Sequence, residues 1–365
     1  MSKRIVFAVT NDLSFDQRMH RICSALQAEG NEVLLIGRKR KQSIPLKQRN
    51  FQQHRIKCWF ESGKLFYLEY NLRLLLYLTS VKSDVYGAVD LDAALPMYMH
   101  AQRNGKPWTF DAHEYFSELE EVITRPLVHW VWKTVERFIV RRAKHAYTIS
   151  ESYAQQFKAQ YGTNFQVIRN VPKKQEHIAS KQQPTQPAII IYQGALNIGR
   201  GLEASIMAMH ELGGAELHIY GDGPIKPQLE HLIKKEKLTV KVKLMGTRIP
   251  EELRTITPKA DIGLTLFSEN GFHHQHSLAN RFFDYIHAGI PQLCMAYPEY
   301  HRFNETYKVA HEINTLEPDE IARAIQALLS NPSYYQQLSE ATLAAALVHH
   351  WEAESERLIY IYRSL

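Results

Sequence analysis

Short apolar runs alternate along the chain with stretches whose apolar residues recur every three or four positions. RIVFAV (residues 4–9) reads as a buried strand, NDLSFDQR as a loop, RMHRICSALQAEG as an amphipathic helix closed by Gly30, and EVLLIG as the next strand. Strand, helix, strand in this rhythm implies a parallel sheet with right-handed crossovers. DVYGAV, PWTFDAH and HAYTIS continue it, separated by the helical stretches LFYLEYNLRLLLYLTS and PLVHWVWKTVERFIVRRA. After QVIRNVP, residues 173–187 are rich in Lys, Gln and Pro and lack apolar periodicity, which marks a linker. A second series then begins. AIIIYQG, ELHIYGDG, VKLMG, IGLTLF and PQLCMA are expected strands, with LEASIMAMHEL, KPQLEHLIKKE, PEELRTIT and LANRFFDYIHAG as helices between them and an almost wholly helical tail from Pro318. The stretch from His276 to Pro291 reads as one helix with Gly289 and Pro291 as its stop. The predicted fold is α/β: two Rossmann-like, doubly wound parallel-sheet domains (1–172 and 188–345) facing a cleft, a linker (173–187) and a C-terminal helix (346–365).

Composition narrows the class. With 365 residues, of which 45% are hydrophobic and 22% charged, the chain can build two cores. Cys23, Cys58 and Cys294 have neither CxxC nor CxH spacing, which argues against a disulfide framework or a zinc site and fits a reducing, cytoplasmic setting. RIVFAV is too short for a signal h-region, and LRLLLYL falls well short of a membrane span. The net charge of +6 is unevenly spread: residues 1–172 carry a balance of +9 and the remainder −3. The densest basic cluster, Arg38 to Arg49, is either a solvated loop or a surface attracted to anionic headgroups or a phosphate-bearing substrate. No recognised nucleic-acid motif accompanies the charge, so no nucleic-acid partner is expected.

Three strand-to-helix loops of the second domain carry candidate chemistry. In YQGALNIGRGLEASIMAM, Gly194, Gly199 and Gly201 let the backbone approach a bulky anion, Arg200 adds a bidentate cation, and Asn197 lies between them. The alternative is a plain glycine-rich turn. YGDGP brings Gly221, Asp222 and Gly223 over the same sheet edge, suited to a nucleobase or ribose or simply to a tight turn. The third is HSLANRFFDYIHAGIP, where Asp284 could accept from ribose hydroxyls with Ser277 and Asn280 near phosphate or sugar, or each could act as a helix cap. In the first domain His113 follows a strand, flanked by Asp111 and Glu114, and Asp16 and Arg18 offer polar groups after the first strand. The run HHQH lacks metal-ligand spacing, and no metal is expected.

Together these motifs resemble the GT-B glycosyltransferases, specifically the large retaining, family 4-like group whose signature is Glu, seven residues, Glu. GALNIGRG resembles its diphosphate loop, YGDGP its G-x-G-P turn, and HSLANRFFDYIHAGIP its signature helix. DLDAALP, DAHE, VIRNVP and the late Trp351 helix, which in the family returns to the first domain, agree in order. Two positions depart: Ala195 stands where the family usually has Arg, and His276 stands in place of the first signature Glu. Asp284 matches the second.

The resemblance implies a metal-independent transferase with no resident cofactor that moves a sugar, with retention, from a UDP- or GDP-type donor to a glycan or lipid-linked acceptor of cell-surface polysaccharide type. His113 and Arg200 would be catalytic. Gly194, Asn197, Gly199, Gly201, Gly221, Asp222, Gly223, His276, Ser277, Leu278, Asn280 and Asp284 would hold the donor, and Asp16, Arg18 and Glu114 would face the acceptor. The protein would be cytoplasmic, with peripheral contact to the anionic inner face of the cell membrane, for which the PLVHWVWKTVERFIVRRAKH helix is a candidate unless its apolar face packs in the core. A non-catalytic sugar-nucleotide-binding partner subunit and a sugar-nucleotide epimerase of the same fold are the alternatives.

Overall fold

The structure, a computed structural model, describes residues 2–14, 16–175, 180–269 and 271–365. The chain divides into two compact units, Met1–Asn170 with Ala353–Leu365, and Val171–Glu352.

The first unit runs β1 (Arg4–Ala8), α1 (Gln17–Ala28), β2 (Glu32–Lys39), β3 (Gln52–Lys57), α2 (Gly63–Leu78), β4 (Val85–Val89), α3 (Ala94–Arg103), β5 (Trp108–Ala112), α4 (Glu120–Ile123), α5 (Pro126–Val140), β6 (Ala146–Thr148), α6 (Glu151–Tyr161) and β7 (Phe165–Val167). All seven strands are parallel, in the order β3-β2-β1-β4-β5-β6-β7. β4 and β5 are buried along their whole length, and β1 from Ile5 on, which is why their sequences read as unbroken apolar runs. β3 (QQHRIK) has no such run because it is a half-exposed edge strand.

The second unit comprises β8 (Ala188–Gln193), α7 (Leu202–Ala208), β9 (Ala215–Tyr220), α8 (Lys226–Lys235), β10 (Val242–Gly246), α9 (Pro250–Ile256), β11 (Ile262–Thr265), α10 (Phe272–His276), α11 (Asn280–His287), β12 (Gln292–Met295), α12 (Pro298–Tyr307), β13 (Ala310–Ile313), α13 (Pro318–Leu329) and α14 (Pro332–Ala346). Its six parallel strands are ordered β10-β9-β8-β11-β12-β13. α15 (Trp351–Arg363) ends the chain. Within the first unit the Tyr362 hydroxyl bonds Thr109 (2.8 Å) and Tyr147 (3.1 Å), and its ring packs on Phe7.

In each sheet the strand order reverses direction once, between β1 and β4 and between β8 and β11. In doubly wound folds ligands bind beyond the carboxyl ends of the strands at this point.

Two stretches differ from the sequence reading. Of the expected linker 173–187, residues 176–179 lie outside the described residues. The part from Lys181 on is fastened to the second unit: Lys181 Nζ bonds Asp261 (3.0 Å), as does the Thr185 amide (3.1 Å). The expected single helix from His276 is two. The Ser277 hydroxyl donates back to the His273 carbonyl (2.7 Å) and closes α10, the chain then runs extended, and the Ala279 amide donates to Tyr300 Oη (3.0 Å) before α11 starts at Asn280. These two side-chain bonds capture backbone groups that a continuous helix would need. His276 and Ser277 therefore sit at the end of α10 and not in the first turns of α11.

Candidate active site

α11 presses its apolar side on the second sheet. Gly263 has no side chain because the Tyr285 ring lies there: a Cβ would stand 2.4 Å from ring carbon Cδ2. The Tyr285 hydroxyl accepts from the Gln193 amide (3.2 Å) and donates to the Ile191 carbonyl (3.2 Å), which ties the helix to the end of β8. Gln193 completes the register by donating from Nε2 to Asp284 (2.8 Å) while its Oε1 accepts from Thr257 (2.7 Å). Asp284 and the loop after β8 are thereby held at the same strand end.

That loop lies against the turn after β9. Gly221, at φ +148°, leaves so little room that a Cβ would come within 1.8 Å of the Gly194 carbonyl oxygen, and one on Gly223 would come within 2.4 Å of Leu196 O. Gly194, Gly199 and Gly201 also have positive φ. The Asp222 carboxylate accepts from the Gly223 amide (2.9 Å), and the Asp222 carbonyl accepts from the Leu196 amide (3.0 Å). Asn197 is exposed at the loop tip. A recess of about 290 Å3 opens between Gly194, Ala195, Gly221, Asp222, Thr247 and Arg248. The sequence reading passed over Thr247 and Arg248, which follow a strand end without any glycine-rich or acidic signal.

Arg200 and Arg281 dominate the electrostatics of this strand end. Their guanidinium carbons stand 4.9 and 4.4 Å from the centroid of the same Phe267 ring, and Arg281 also lies 4.6 Å from the Tyr192 ring. A Cβ on Gly194 would be 3.2 Å from Arg281 Nη1, so the glycine loop and this cation adjoin. Burial, and then the Arg281 charge, lowers the Arg200 pKa. Neither guanidinium has a carboxylate partner among the described residues. Arg281 Nη1 and Nη2 reach Tyr192 Oη and the Leu266 carbonyl only at 3.4 Å, and its buried Nε has no acceptor. Cation–π contacts are worth about 0.5–2 kcal/mol each and stabilise the pair without neutralising it. α7, which begins after Gly201, has only seven residues, so its dipole adds little to these two charges.

His276 is stacked on Phe272 (4.1 Å between centroids), and burial lowers its pKa, so an imidazole stands where the signature has a carboxylate. Leu278 packs against the core and Asn280 is exposed.

The first unit gathers a different constellation at the ends of β1, β4 and β5. Asp111 is fully buried; it receives Arg18 Nη2 (3.0 Å) and bonds His113 Nε2 (2.7 Å), while Arg18 Nη1 donates to the Ile168 carbonyl (2.8 Å). Burial would raise the Asp111 pKa, but Arg18 and His113 together hold it below the ordinary value. Burial likewise opposes the charge on His113, yet Asp111 raises its pKa. Asp90, at the strained φ of +51°, accepts from the His113 and Glu114 amides (2.8 and 3.2 Å). Asp92 bonds the Thr10 hydroxyl, and burial pushes its pKa up to about 6. Glu114 is exposed. Asp16 serves α1 as its cap, accepting from the Met19 amide (2.9 Å). Of the residues expected to face an acceptor, Arg18 is thus a buried ion-pair partner and Asp16 a helix cap.

Comparison with known proteins agrees with this architecture. Residues 17–172 match the sequence model of Glycosyltransferase Family 4, and residues 173–344 that of Glycosyl transferases group 1. No curated protein matches the chain in sequence. Among solved structures, the fold is similar to sucrose-phosphate synthase (tll1590) from Thermosynechococcus elongatus, at a TM-score of 0.82 and 15% identity over 99% of this chain and 98% of that one. It is also similar to Anabaena Alr3699/HepE in complex with UDP, at 0.74 and 13% over 99% and 100%. WaaG, a glycosyltransferase involved in lipopolysaccharide biosynthesis, aligns at 0.68 and 16% over 97% and 98%. The two family matches together run from residue 17 to residue 344, both units have the parallel-sheet form of the GT-B fold, and the chain belongs to the family 4-like GT-B glycosyltransferases.

Proposed function

We propose that this transferase uses a nucleoside-diphosphate sugar, of UDP or GDP type, and passes the sugar with retention to a glycan or lipid-linked acceptor at the inner face of the cell membrane. The observation that carries the donor reading is the pair Arg200 and Arg281, two adjoining cations beside a glycine loop with no carboxylate among the described residues to neutralise them. As the anomeric bond breaks, negative charge grows on the diphosphate oxygens, and preorganised guanidiniums and loop amides stabilise it where it develops. In this reading they take the role that a divalent ion has in other sugar transferases. Arg281 supplies the second cation that Ala195 leaves wanting. The base enters the recess at Thr247 and Arg248, and Asp284 accepts from the ribose hydroxyls. UDP and UDP-glucose are the ligands in structures of Alr3699/HepE, which favours UDP as the first donor to test.

His113, whose pKa Asp111 raises and whose ring it orients, suits a hydrogen bond to the sugar that is transferred. One observation favours a second reading, a non-catalytic binder: His276 replaces a carboxylate at the expected sugar contact. A panel of labelled UDP-, GDP- and other sugar nucleotides, scored for binding and then for slow hydrolysis or transfer, separates the two. Binding with turnover supports the transferase, binding alone the partner subunit, interconversion of sugars an epimerase, and no binding rejects the donor site. His113→Ala is expected to reduce turnover more than binding.

A further inference from the structure

α2 is apolar on both sides. Phe66, Tyr70, Leu74 and Leu78 fill the core, while Leu65, Leu68, Leu72 and Leu76, spaced by three, four and four residues, form a second stripe that is 49–70% exposed. A helix needs only the first stripe to fold against a sheet, and four aligned exposed leucines exceed the scattered apolar residues of ordinary surfaces.

The neighbouring helix repeats the feature. α5 turns Trp132 inward, where its ring meets Tyr67 of α2 at 5.4 Å and Phe116 at 4.7 Å, and Ile139 and Val140 are buried. Leu127, Trp130 (67% exposed), Val131 and Phe138 point out instead. The apolar face expected to pack in the core is thus divided between core and solvent.

Cations frame both stripes. Lys64 is exposed at the start of α2, and Arg137, Arg141 and Arg142 at the end of α5. Arg38 donates to the Glu61 carbonyl (2.9 Å) and covers the Phe66 ring at 4.1 Å, which brings the exposed Lys39, Arg40 and Lys41 to the amino end of α2. No exposed residue of α2 or α5 is acidic: Glu69 is paired with Arg73, and Glu136 is buried.

We infer that the outer faces of α2 and α5 are a docking surface for a bilayer of anionic phospholipid. Apolar side chains flanked by Lys and Arg enter the boundary between headgroups and acyl chains while the cations stay at the headgroups. A second copy of this chain fits less well, because a symmetric contact would set each basic frame against itself. The inference rests on the proposed transfer at a membrane face and names the part of the molecule that meets it.

The test is flotation of the full chain with vesicles of phosphatidylcholine alone and of phosphatidylcholine mixed with phosphatidylglycerol. The chain is expected to float with the mixed vesicles only, less so as salt rises. Leu68→Asp with Leu72→Asp should cut the bound fraction by roughly tenfold or more, and Arg141→Glu with Arg142→Glu by about tenfold. Both variants should keep the wild-type melting temperature and UDP affinity. Equal flotation with both vesicles, or binding indifferent to both variants, would overturn the inference. So would a dimer that dissolves in the leucine variant while vesicles remain unbound, since the stripe would then serve a second copy. Loss of UDP binding in the wild-type chain with vesicle binding retained would overturn the donor site and leave this surface standing.

Discussion

Both units place an arginine-bearing cluster at the point where the strand order reverses, but one cluster is compensated by carboxylates and the other is not. In the first unit, buried Arg18 is neutralised by Asp111, which also holds His113, and further carboxyls surround them. In the second, Arg200 and Arg281 flank one aromatic ring and neither has an anion among the described residues. A compensated cluster is stable as it stands and can fix the direction of a side chain. An uncompensated one keeps the folded protein under repulsion until an anion arrives. Under the proposed function, the same fold would supply a positioning site in one unit and a receiving site in the other.

The contrast is sharpest in how the arginines should respond to removal. Arg18→Met leaves Asp111 buried without its cation and should destabilise the first unit by about 3–5 kcal/mol, read by denaturant unfolding, with UDP affinity of the remaining folded protein unchanged. A smaller loss would mean that Arg18 is not holding a buried charge. Arg281→Ala should behave in the opposite way. Unfolding of the unliganded protein should change little, because loss of the two ring contacts is offset by removal of a buried charge without a counter-ion, whereas UDP binding should weaken by about 2 kcal/mol, roughly 30-fold, and Arg200→Gln should do the same while relieving repulsion by a few tenths of a kcal/mol. Calorimetric titration reads the first effect, and thermal melting with and without UDP the second.

Asp92 separates the units by pH. Its folded pKa of about 6 exceeds the ordinary 3.8, so the folded protein holds this proton more tightly than the unfolded chain. The contribution of this group to stability therefore falls as pH rises from about 4 to about 6 and is flat above, at a cost on the order of 3 kcal/mol. Asp92→Asn should recover most of that at neutral pH and none at pH 4 or below, as measured by urea midpoints across pH. Smallest is Asp284→Asn, expected to weaken UDP by about 1 kcal/mol without affecting inorganic diphosphate. Equal weakening of both ligands would move Asp284 from the ribose to the phosphates.

The sequence exposes the second site better than the first because its parts are local. Gly194, Gly199, Gly201, Gly221 and Gly223 stand beside strand ends, and tight approach of two loops leaves a glycine signature in each. The buried strands were equally legible, since burial on both faces requires continuous apolar runs. The edge strand β3 was not, because one exposed edge relaxes that requirement. Arg281 was visible as a residue but not as the second cation: its place beside Gly194 depends on Tyr285 docking α11 over Gly263, a tertiary contact with no periodicity of its own. The break between His276 and Asn280 was hidden for a similar reason, as it depends on Tyr300, which lies a helix further on. In the first unit Arg18 and Asp111 are distant in sequence, and nothing near either marks them as partners.

The central claim is that two uncompensated arginines await a diphosphate, and the most direct measurement is calorimetric binding of UDP and of uridine to the wild-type chain and to the Arg200→Ala, Arg281→Ala double variant. Wild-type protein is expected to bind UDP at least roughly 100-fold more tightly than uridine, and the gap should nearly close in the variant, with uridine affinity itself unchanged. A wild-type protein that binds both ligands equally, or a variant that keeps the full preference for UDP, would contradict it.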